Sequence, residues 1–189
     1  MQSLTMRPFC VPRLSSIIDS VMLEPASNPI DSFSSHPGTY ALLLHLPTPR
    51  KIEVGKLGRY YFPAGFYIYV GSALGSGGLA GRLGRHLKPT AFPGWKAKWH
   101  IDYLHHYAKI AEVWTIKQTV RREHDWASLV QELPGAAVPM PGFGSSDCSC
   151  LTHLFHFSHL PRHDDFRSML ARGYPEDDLV VVDMRFGRL

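Results

Sequence analysis

Two tyrosines and a short basic segment occur close together near the middle of the chain. Residues 65–73 alternate aromatic and aliphatic side chains, so a strand through them would place Tyr67, Tyr69 and Gly71 on one face. That face would present phenols while the other face packs against a core. A glycine-rich turn follows and opens the basic segment 79–87. Phenols beside cations favour acid–base chemistry on a negatively charged substrate.

The basic segment lies in the most positively charged part of the chain. The formal net charge is +4 and the pI is about 9.0. No acidic residue occurs between Glu53 and Asp102, and the acids collect instead near the C-terminal end. This asymmetry predicts a surface that faces a polyanion, with a solvated basic surface as the alternative. The cations of the interval are Lys56, Arg59, Arg82, Arg85, Lys88, Lys96 and Lys98.

Cleavage of a phosphodiester would require more than positive charge. It needs a nucleophilic water, a group that activates this water, and positive charge on the phosphoryl oxygens, which a divalent metal on a carboxylate can supply. Free tyrosine has a pKa near about 10, so a base role for Tyr40 or Tyr69 requires a nearby cation or metal. The alternative is that both are half-buried strand tyrosines whose hydroxyls point to water.

The motif residues resemble those of the GIY-YIG nuclease superfamily. Gly-Thr-Tyr at 38–40 stands for the first tripeptide, Tyr-Val-Gly at 69–71 for the second, and Arg82 and His86 for the basic helix that follows. Threonine and valine are β-branched like isoleucine, so these replacements preserve strand propensity. The resemblance covers roughly residues 38–157.

The spacing of the two tripeptides departs from the usual pattern of the superfamily. The connecting segment is longer than a short hairpin and carries strand signals of its own. This layout, together with residues 99–104 and 142–154, resembles a little-characterised branch that is sometimes fused to endonuclease III type glycosylases. The resemblance implies a metal-dependent endonuclease that acts on DNA, with RNA as the alternative substrate, in repair or restriction.

The resemblance also assigns catalytic roles to individual residues. Tyr40 would help to activate water, Tyr69 would line the site, and Arg82 would hold the phosphate. His86 would be a further phosphate or proton contact, and Glu123 would bind Mg²⁺ or Mn²⁺. A second carboxylate, Asp125, is close to Glu123. The candidate nucleic-acid contacts are Lys56, Arg85, Lys88, Lys96, Lys98 and His100.

A second constellation in the sequence has the residue types of a zinc site. Cys148, Cys150, His153 and His156 follow one another in the spacing Cys-x-Cys-x-x-His-x-x-His. This is not the spacing of a standard finger, and strand alternation would place His153 on the face opposite the cysteines. We therefore favour a structural edge over a zinc site. The rival functions are a nucleic-acid-binding module that has lost cleavage and a zinc-stabilised interaction domain.

The elements that must position these residues are short. Apolar runs at 40–46, 65–73 and 111–116 predict three core strands. Residues 51–54 and 60–62 predict an inserted hairpin, because the connections are too short to hold a crossover helix. The other predicted elements are helices at 78–87 and 95–107, a helix with Glu123 capped by Thr119, a late strand at 149–157, a helix at 164–172, and an edge strand or contact surface at 179–184.

This order predicts an α+β fold, with a small antiparallel or mixed sheet flanked by helices. A chain of 189 residues with 44% hydrophobic residues suits one domain with appendages. We expect a poorly ordered arm at 1–37, which contains a short amphipathic segment at 14–23, and the nuclease-like domain at 38–157. An acidic extension at 158–189 would pack on or beside that domain.

Cysteine count and hydropathy predict the compartment. Three cysteines do not make a disulfide framework, which indicates a reducing environment. The first residues lack the pattern of a secretory signal, and no run approaches the roughly 18 apolar residues of a membrane span. We therefore expect a soluble cytoplasmic protein that does not interact with membranes.

Overall fold

The computed structural model describes residues 33–90 and 94–185, so the amphipathic segment predicted at 14–23 lies outside the described residues. Within these ranges the chain forms seven strands and four α-helices in an α+β fold. No helix among them is both long and apolar enough to span a bilayer. The strands are β1 (Gly38–Leu46), β2 (Arg50–Glu53), β3 (Arg59–Phe62), β4 (Gly65–Ser72), β5 (Lys109–Lys117), β6 (Leu154–Phe157) and β7 (Val180–Asp183). The helices are α1 (Gly78–His86), α2 (His100–His105), α3 (Glu123–Gln131) and α4 (His163–Gly173).

Five strands form one sheet in the order β6-β4-β1-β5-β7, and every neighbouring pair is antiparallel. The three predicted core strands are β4, β1 and β5 at its centre. The predicted hairpin, β2 and β3, forms a separate two-stranded sheet. The segment predicted as either an edge strand or a contact surface is an edge strand, since β7 pairs with β5.

Both faces of the five-stranded sheet are covered. On one face, Leu42 and Tyr67 pack in a cluster with Leu83 of α1. On the other face, Ile68 packs in a cluster with Trp126 of α3, and α4 joins the same cluster. The face that was predicted to present phenols therefore packs in a core cluster as well. Tyr67 is fully buried beside Phe62 of β3 and His156 of β6, and its hydroxyl donates a hydrogen bond to the backbone carbonyl of Pro63.

Three helix or strand boundaries differ from the sequence-based expectation. The helix predicted at 95–107 is only α2, because the backbone of Trp99 is extended. Thr119 does not cap α3, which begins at Glu123 with Arg122 at the N-cap. The late strand begins at Leu154, because the chain before it is an irregular loop. This loop, residues 142–153, forms part of the site described next.

Candidate functional site

A polar cleft of about 430 Å³ opens where β1 and β4 meet the start of α3. Its walls come from β1, β4, α1, the residues before and at the start of α2, the residues before and at the start of α3, and the 142–153 loop. Four of the five predicted catalytic residues line this cleft: Tyr40, Tyr69, Arg82 and Glu123. The fold therefore brings together side chains that are far apart in the sequence.

The two tripeptides lie side by side on the neighbouring strands β1 and β4. Tyr40 pairs directly with Gly71 in the antiparallel ladder of β1 and β4. A Cβ atom at residue 71 would lie 2.5 Å from the Tyr40 hydroxyl oxygen, which is too close for any side chain. Glycine at this position allows the phenol of Tyr40 to cross the neighbouring strand, so the tripeptide pattern has a direct steric reason.

His86 lies behind Tyr40 rather than in the cleft wall. Its Nε2 atom is 2.9 Å from the Tyr40 hydroxyl oxygen, in a buried hydrogen bond. Its Nδ1 atom is 4.0 Å from a carboxylate oxygen of Asp102. Burial lowers the pKa of His86 from 6.5 to about 3, and the carboxylate of Asp102 only partly opposes this shift. His86 is therefore neutral and contacts the hydroxyl of Tyr40.

Neither tyrosine of the cleft has the lowered pKa that a base role was expected to require. Burial raises the pKa of Tyr40 well above its ordinary value, and Tyr69 and Glu123 raise it further, whereas Arg82 lowers it. Burial also raises the pKa of Tyr69, again against the effect of Arg82. The Coulombic effect of the cation is present but smaller than the desolvation cost. Both phenols are neutral in this structure.

Tyr69 is held in place by the 142–153 loop. A Cβ atom at residue 144 would lie 2.8 Å from the Tyr69 ring, and Gly144 also has a φ of +74°, a conformation that favours glycine. The N–H of Gly144 donates to Nδ1 of His100 at 3.1 Å. His100, a predicted nucleic-acid contact, therefore lines the cleft and also anchors this loop.

Trp99 supports the cations of the cleft. The guanidinium carbon of Arg82 lies 4.5 Å from the centre of the Trp99 ring, and that of Arg85 lies 4.0 Å away. Arg85 also donates to the buried carboxylate of Asp102, which accepts the backbone N–H of Lys98 and Trp99 as well.

Arg85 is therefore engaged by a carboxylate. Among the ion pairs formed within residues 33–90 and 94–185, none involves Arg82. Arg82 also lines the cleft, so it is the arginine of α1 that is placed to meet an anion there.

Glu123 is the carboxylate that α3 brings to the cleft. The helix packs on the opposite face of the sheet through Trp126, but its first residue reaches past the end of the sheet. Glu123 is 7% exposed and accepts a hydrogen bond of 3.0 Å from Arg121. Asp125, the alternative carboxylate, pairs instead with Arg122 at 3.5 Å and is not among the described residues that line the cleft.

The predicted nucleic-acid contacts divide into two groups. Lys98 and His100 line the cleft. Lys56 and Lys96 are exposed elsewhere and do not belong to the described lining of the cleft. Lys88 lines a separate, larger hollow of about 790 Å³ that shares no described lining residue with the cleft.

Several residues of the cleft were not predicted from the sequence. Arg121, Asp147 and Trp99 all line it. Asp147 and His153 come from the 142–153 loop, whose path no periodic pattern predicts. Arg121 lies two positions before Glu123, and this proximity was the one local feature of the sequence that indicated Arg121 as a cleft residue. These residues add a second carboxylate and a second arginine to the polar wall.

Two cysteines and two histidines meet beside this wall. His124, Cys148, Cys150 and His153 each offer a ligand atom, and these atoms all lie within 4.8 Å of one another. We call this group the Cys/His cluster. The expectation that His153 points away from the cysteines is wrong, because residues 148–153 do not form a strand.

The second histidine of the sequence pattern lies elsewhere. His156 stands in β6 and contacts the carbonyl of Ala64 at 3.1 Å. Its place in the cluster is taken by His124 of α3, which lies 26 positions before Cys150. No signal in the sequence indicated His124, because the local pattern already offers four candidate ligands.

Comparison with known proteins gives a family but no individual relative. Neither the curated proteins nor the solved structures contain a match to this chain. A match to a family does cover residues 39–173, a range that includes every residue of the cleft and of the Cys/His cluster. The chain belongs to the family described as "Domain of unknown function DUF123".

Proposed function

We propose that the protein is a metal-dependent endonuclease of the GIY-YIG type that cleaves a phosphodiester bond of DNA. The observation that carries this proposal is the convergence of Tyr40, Tyr69, Arg82 and Glu123 on one open polar cleft. These residues come from two strands and two helices, and the cleft is the one place where they meet. The matching tripeptides and the basic helix after the second of them support the same assignment.

The carboxylate of Glu123 fits a role as a ligand to Mg²⁺ or Mn²⁺. Mg²⁺ is commonly held by one or two carboxylates together with water and substrate phosphate oxygens. Glu123 faces the cleft, and Asp147 lines the same wall. Arg121 now occupies one oxygen of Glu123, and because its own side chain is half exposed, it can move toward substrate. When bound, the metal would stabilise negative charge on the phosphoryl oxygens.

Arg82 would bind the phosphate that is cleaved. Its guanidinium is fixed against the ring of Trp99 at 4.5 Å and faces the cleft. A planar guanidinium can donate two parallel hydrogen bonds to phosphate oxygens. Because Trp99 holds it in position, Arg82 would lose little side-chain entropy when it binds the phosphate.

Tyr40 would act as the proton acceptor only together with His86. The hydroxyl of Tyr40 lies 2.9 Å from Nε2 of neutral His86 in a buried position, and it would donate to that atom when His86 carries its proton on Nδ1. A water that attacks phosphorus would transfer its proton to the Tyr40 oxygen while the phenolic proton moves to His86. The P–O bond to the leaving sugar oxygen breaks as the new P–O bond forms, and the leaving oxygen takes a proton from solvent. The nearby carboxylate of Asp102 would stabilise the resulting imidazolium. This relay avoids a free phenolate, which burial makes costly.

The test is nicking of supercoiled plasmid DNA by the full chain with Mg²⁺. We expect Arg82→Ala and Glu123→Gln to slow nicking by about 10²-fold or more. Lys88→Ala is the matched control, since Lys88 is exposed beside a different hollow. Equal amounts of intact circle with the parent, Arg82→Ala and Glu123→Gln would contradict the proposal for this substrate.

A non-catalytic nucleic-acid-binding module is the second candidate. The pairing of Glu123 with Arg121 at 3.0 Å favours it, because a carboxylate neutralised by arginine can serve packing alone. For such a module, salt-sensitive DNA binding would survive Glu123→Gln, and the parent would leave the plasmid intact with Mg²⁺. Measurable nicking by the parent that depends on Glu123 excludes this alternative.

A further inference from the structure

We propose that His124, Cys148, Cys150 and His153 form a structural zinc site. All four ligand atoms lie within 4.8 Å of one another. Two thiolates and two imidazoles are a common set of ligands for tetrahedral zinc. The proposal does not depend on the endonuclease activity proposed above, because the four side chains would fill the tetrahedral coordination of zinc, and one of them, His153, also lines the cleft.

The distances between ligand atoms agree with tetrahedral coordination. Zn–S bonds of about 2.3 Å and Zn–N bonds of about 2.0–2.1 Å place neighbouring ligand atoms about 3.3–3.8 Å apart. The Cys148 sulfur lies 3.5 Å from Nε2 of His153, within this range. The Cys150 sulfur lies 3.0 Å from Nδ1 of His124, so this pair needs to separate by about half an ångström to bind the metal. That displacement is within the reach of side-chain rotation.

The backbone around the cluster is already fixed. The N–H of His153 donates to the carbonyl of Phe143 at 2.8 Å, and the carbonyl of His153 accepts the N–H of Val70 at 2.9 Å. His124 is fixed because α3 packs on the sheet through Trp126. Three of the four ligands belong to the 142–153 loop, and the fourth belongs to α3. A zinc ion would therefore cross-link this irregular loop to a packed helix.

The cross-link would also act on the cleft. His124 follows Glu123 directly, and its Nε2 atom lies 3.7 Å from a carboxylate oxygen of Glu123. A carboxylate near the second nitrogen of a metal-bound histidine commonly orients the ring. The loop also carries Gly144, which supports Tyr69, and Asp147, which lines the cleft. Zinc would thus position two walls of the cleft without contacting substrate.

The direct test is the metal content of the full chain, made without an affinity tag on a Cys10→Ser background. This background leaves Cys148 and Cys150 as the two thiols of the chain. We expect about one zinc ion per chain by inductively coupled plasma mass spectrometry. We also expect Cys150→Ser and His124→Asn to lower zinc to the level of the buffer blank. His156→Asn, the matched control from outside the cluster, should keep it.

Loading the parent with cobalt tests the site without any variant, so the proposal stays testable if a variant fails to fold. The parent loaded with Co²⁺ should show the intense visible bands of tetrahedral coordination and thiolate-to-metal charge transfer. Far-ultraviolet circular dichroism reports folding in parallel. Weak octahedral bands, zinc at the level of the blank in the folded parent, or a Cys148–Cys150 disulfide by mass would overturn the proposal. Zinc without DNA cleavage would support it and count only against the endonuclease.

Discussion

The cleft and the Cys/His cluster begin from adjacent residues of α3, Glu123 and His124, but they differ in their chemistry. The cleft is open and contains one arginine without a carboxylate partner among the described residues, together with two neutral phenols. The cluster is compact and holds four soft or borderline ligands at mutual distances within 4.8 Å. An open polar site suits binding and release of substrate, whereas a closed set of ligands suits stability. The two proposals assign separate tasks to neighbouring residues at one end of a helix.

The largest effect that we expect is on catalysis, and it follows from removal of the Tyr40 hydroxyl. Tyr40→Phe should lower the rate of single-turnover DNA nicking by about 10²–10⁴-fold, because the proposed proton path through His86 is lost. Tyr67→Phe is the matched control. The Tyr67 hydroxyl donates to a backbone carbonyl outside the cleft. Equal loss in both variants would assign the effect to packing.

The second prediction concerns the contact between the two tripeptides. Gly71→Ala would place a Cβ atom 2.5 Å from the Tyr40 hydroxyl oxygen. We expect a loss of about 1–3 kcal/mol in the free energy of unfolding, measured with urea. Gly75→Ala is the control, since a Cβ atom there meets nothing within 4 Å. A stability change at residue 71 no larger than at residue 75 would show that Tyr40 can move aside at little cost.

The third prediction uses the pKa of His86, which burial lowers from 6.5 to about 3. Between these values the unfolded chain binds a proton that the folded chain does not, so stability falls as pH decreases below 6.5. The contribution is about 1 kcal/mol per pH unit. We expect His86→Gln to reduce this pH dependence in urea unfolding between about pH 5 and pH 7.

The exposed His159 provides the control for the third prediction, as His159→Gln. This change should leave the pH dependence of stability unchanged. If His86→Gln leaves the slope of the unfolding free energy against pH unchanged, burial does not lower the pKa of His86 as we expect.

The smallest effect concerns binding. Arg82→Ala should reduce the slope of log K against log salt by about 0.9, the value for one phosphate contact with duplex DNA. Lys56→Ala should leave the slope unchanged, because Lys56 is exposed away from the cleft. Fluorescence anisotropy across a salt series measures both slopes. Identical slopes for the two variants would contradict a specific phosphate contact at Arg82.

The comparison of the two sites also shows what the sequence could predict. The α+β fold, the three core strands and the inserted hairpin follow from local patterns that the structure confirms. The short helix α2 and the late start of β6 do not follow, because side-chain packing and loop contacts set these limits. The periodicity of the sequence predicted which helices and strands form, but it predicted their first and last residues less well.

The two sites differ in how much of each could be predicted. Tyr40, Arg82 and Glu123 were assigned through a resemblance that spans several elements. His124 was missed because no local pattern links it to Cys148, which lies far along the chain on an irregular loop. The raised pKa values of the two phenols also required the structure, since Tyr40 is buried against His86 of α1 and Tyr69 against Phe143 of the 142–153 loop.

The most direct test of the central claim measures DNA cleavage and zinc content in the same preparations of Glu123→Gln and His124→Asn. The claim is that adjacent residues serve separate sites. We predict that Glu123→Gln keeps about one zinc ion per chain and loses nicking, whereas His124→Asn loses zinc. Nicking by Glu123→Gln at the rate of the parent would contradict the account, as would zinc retained by His124→Asn.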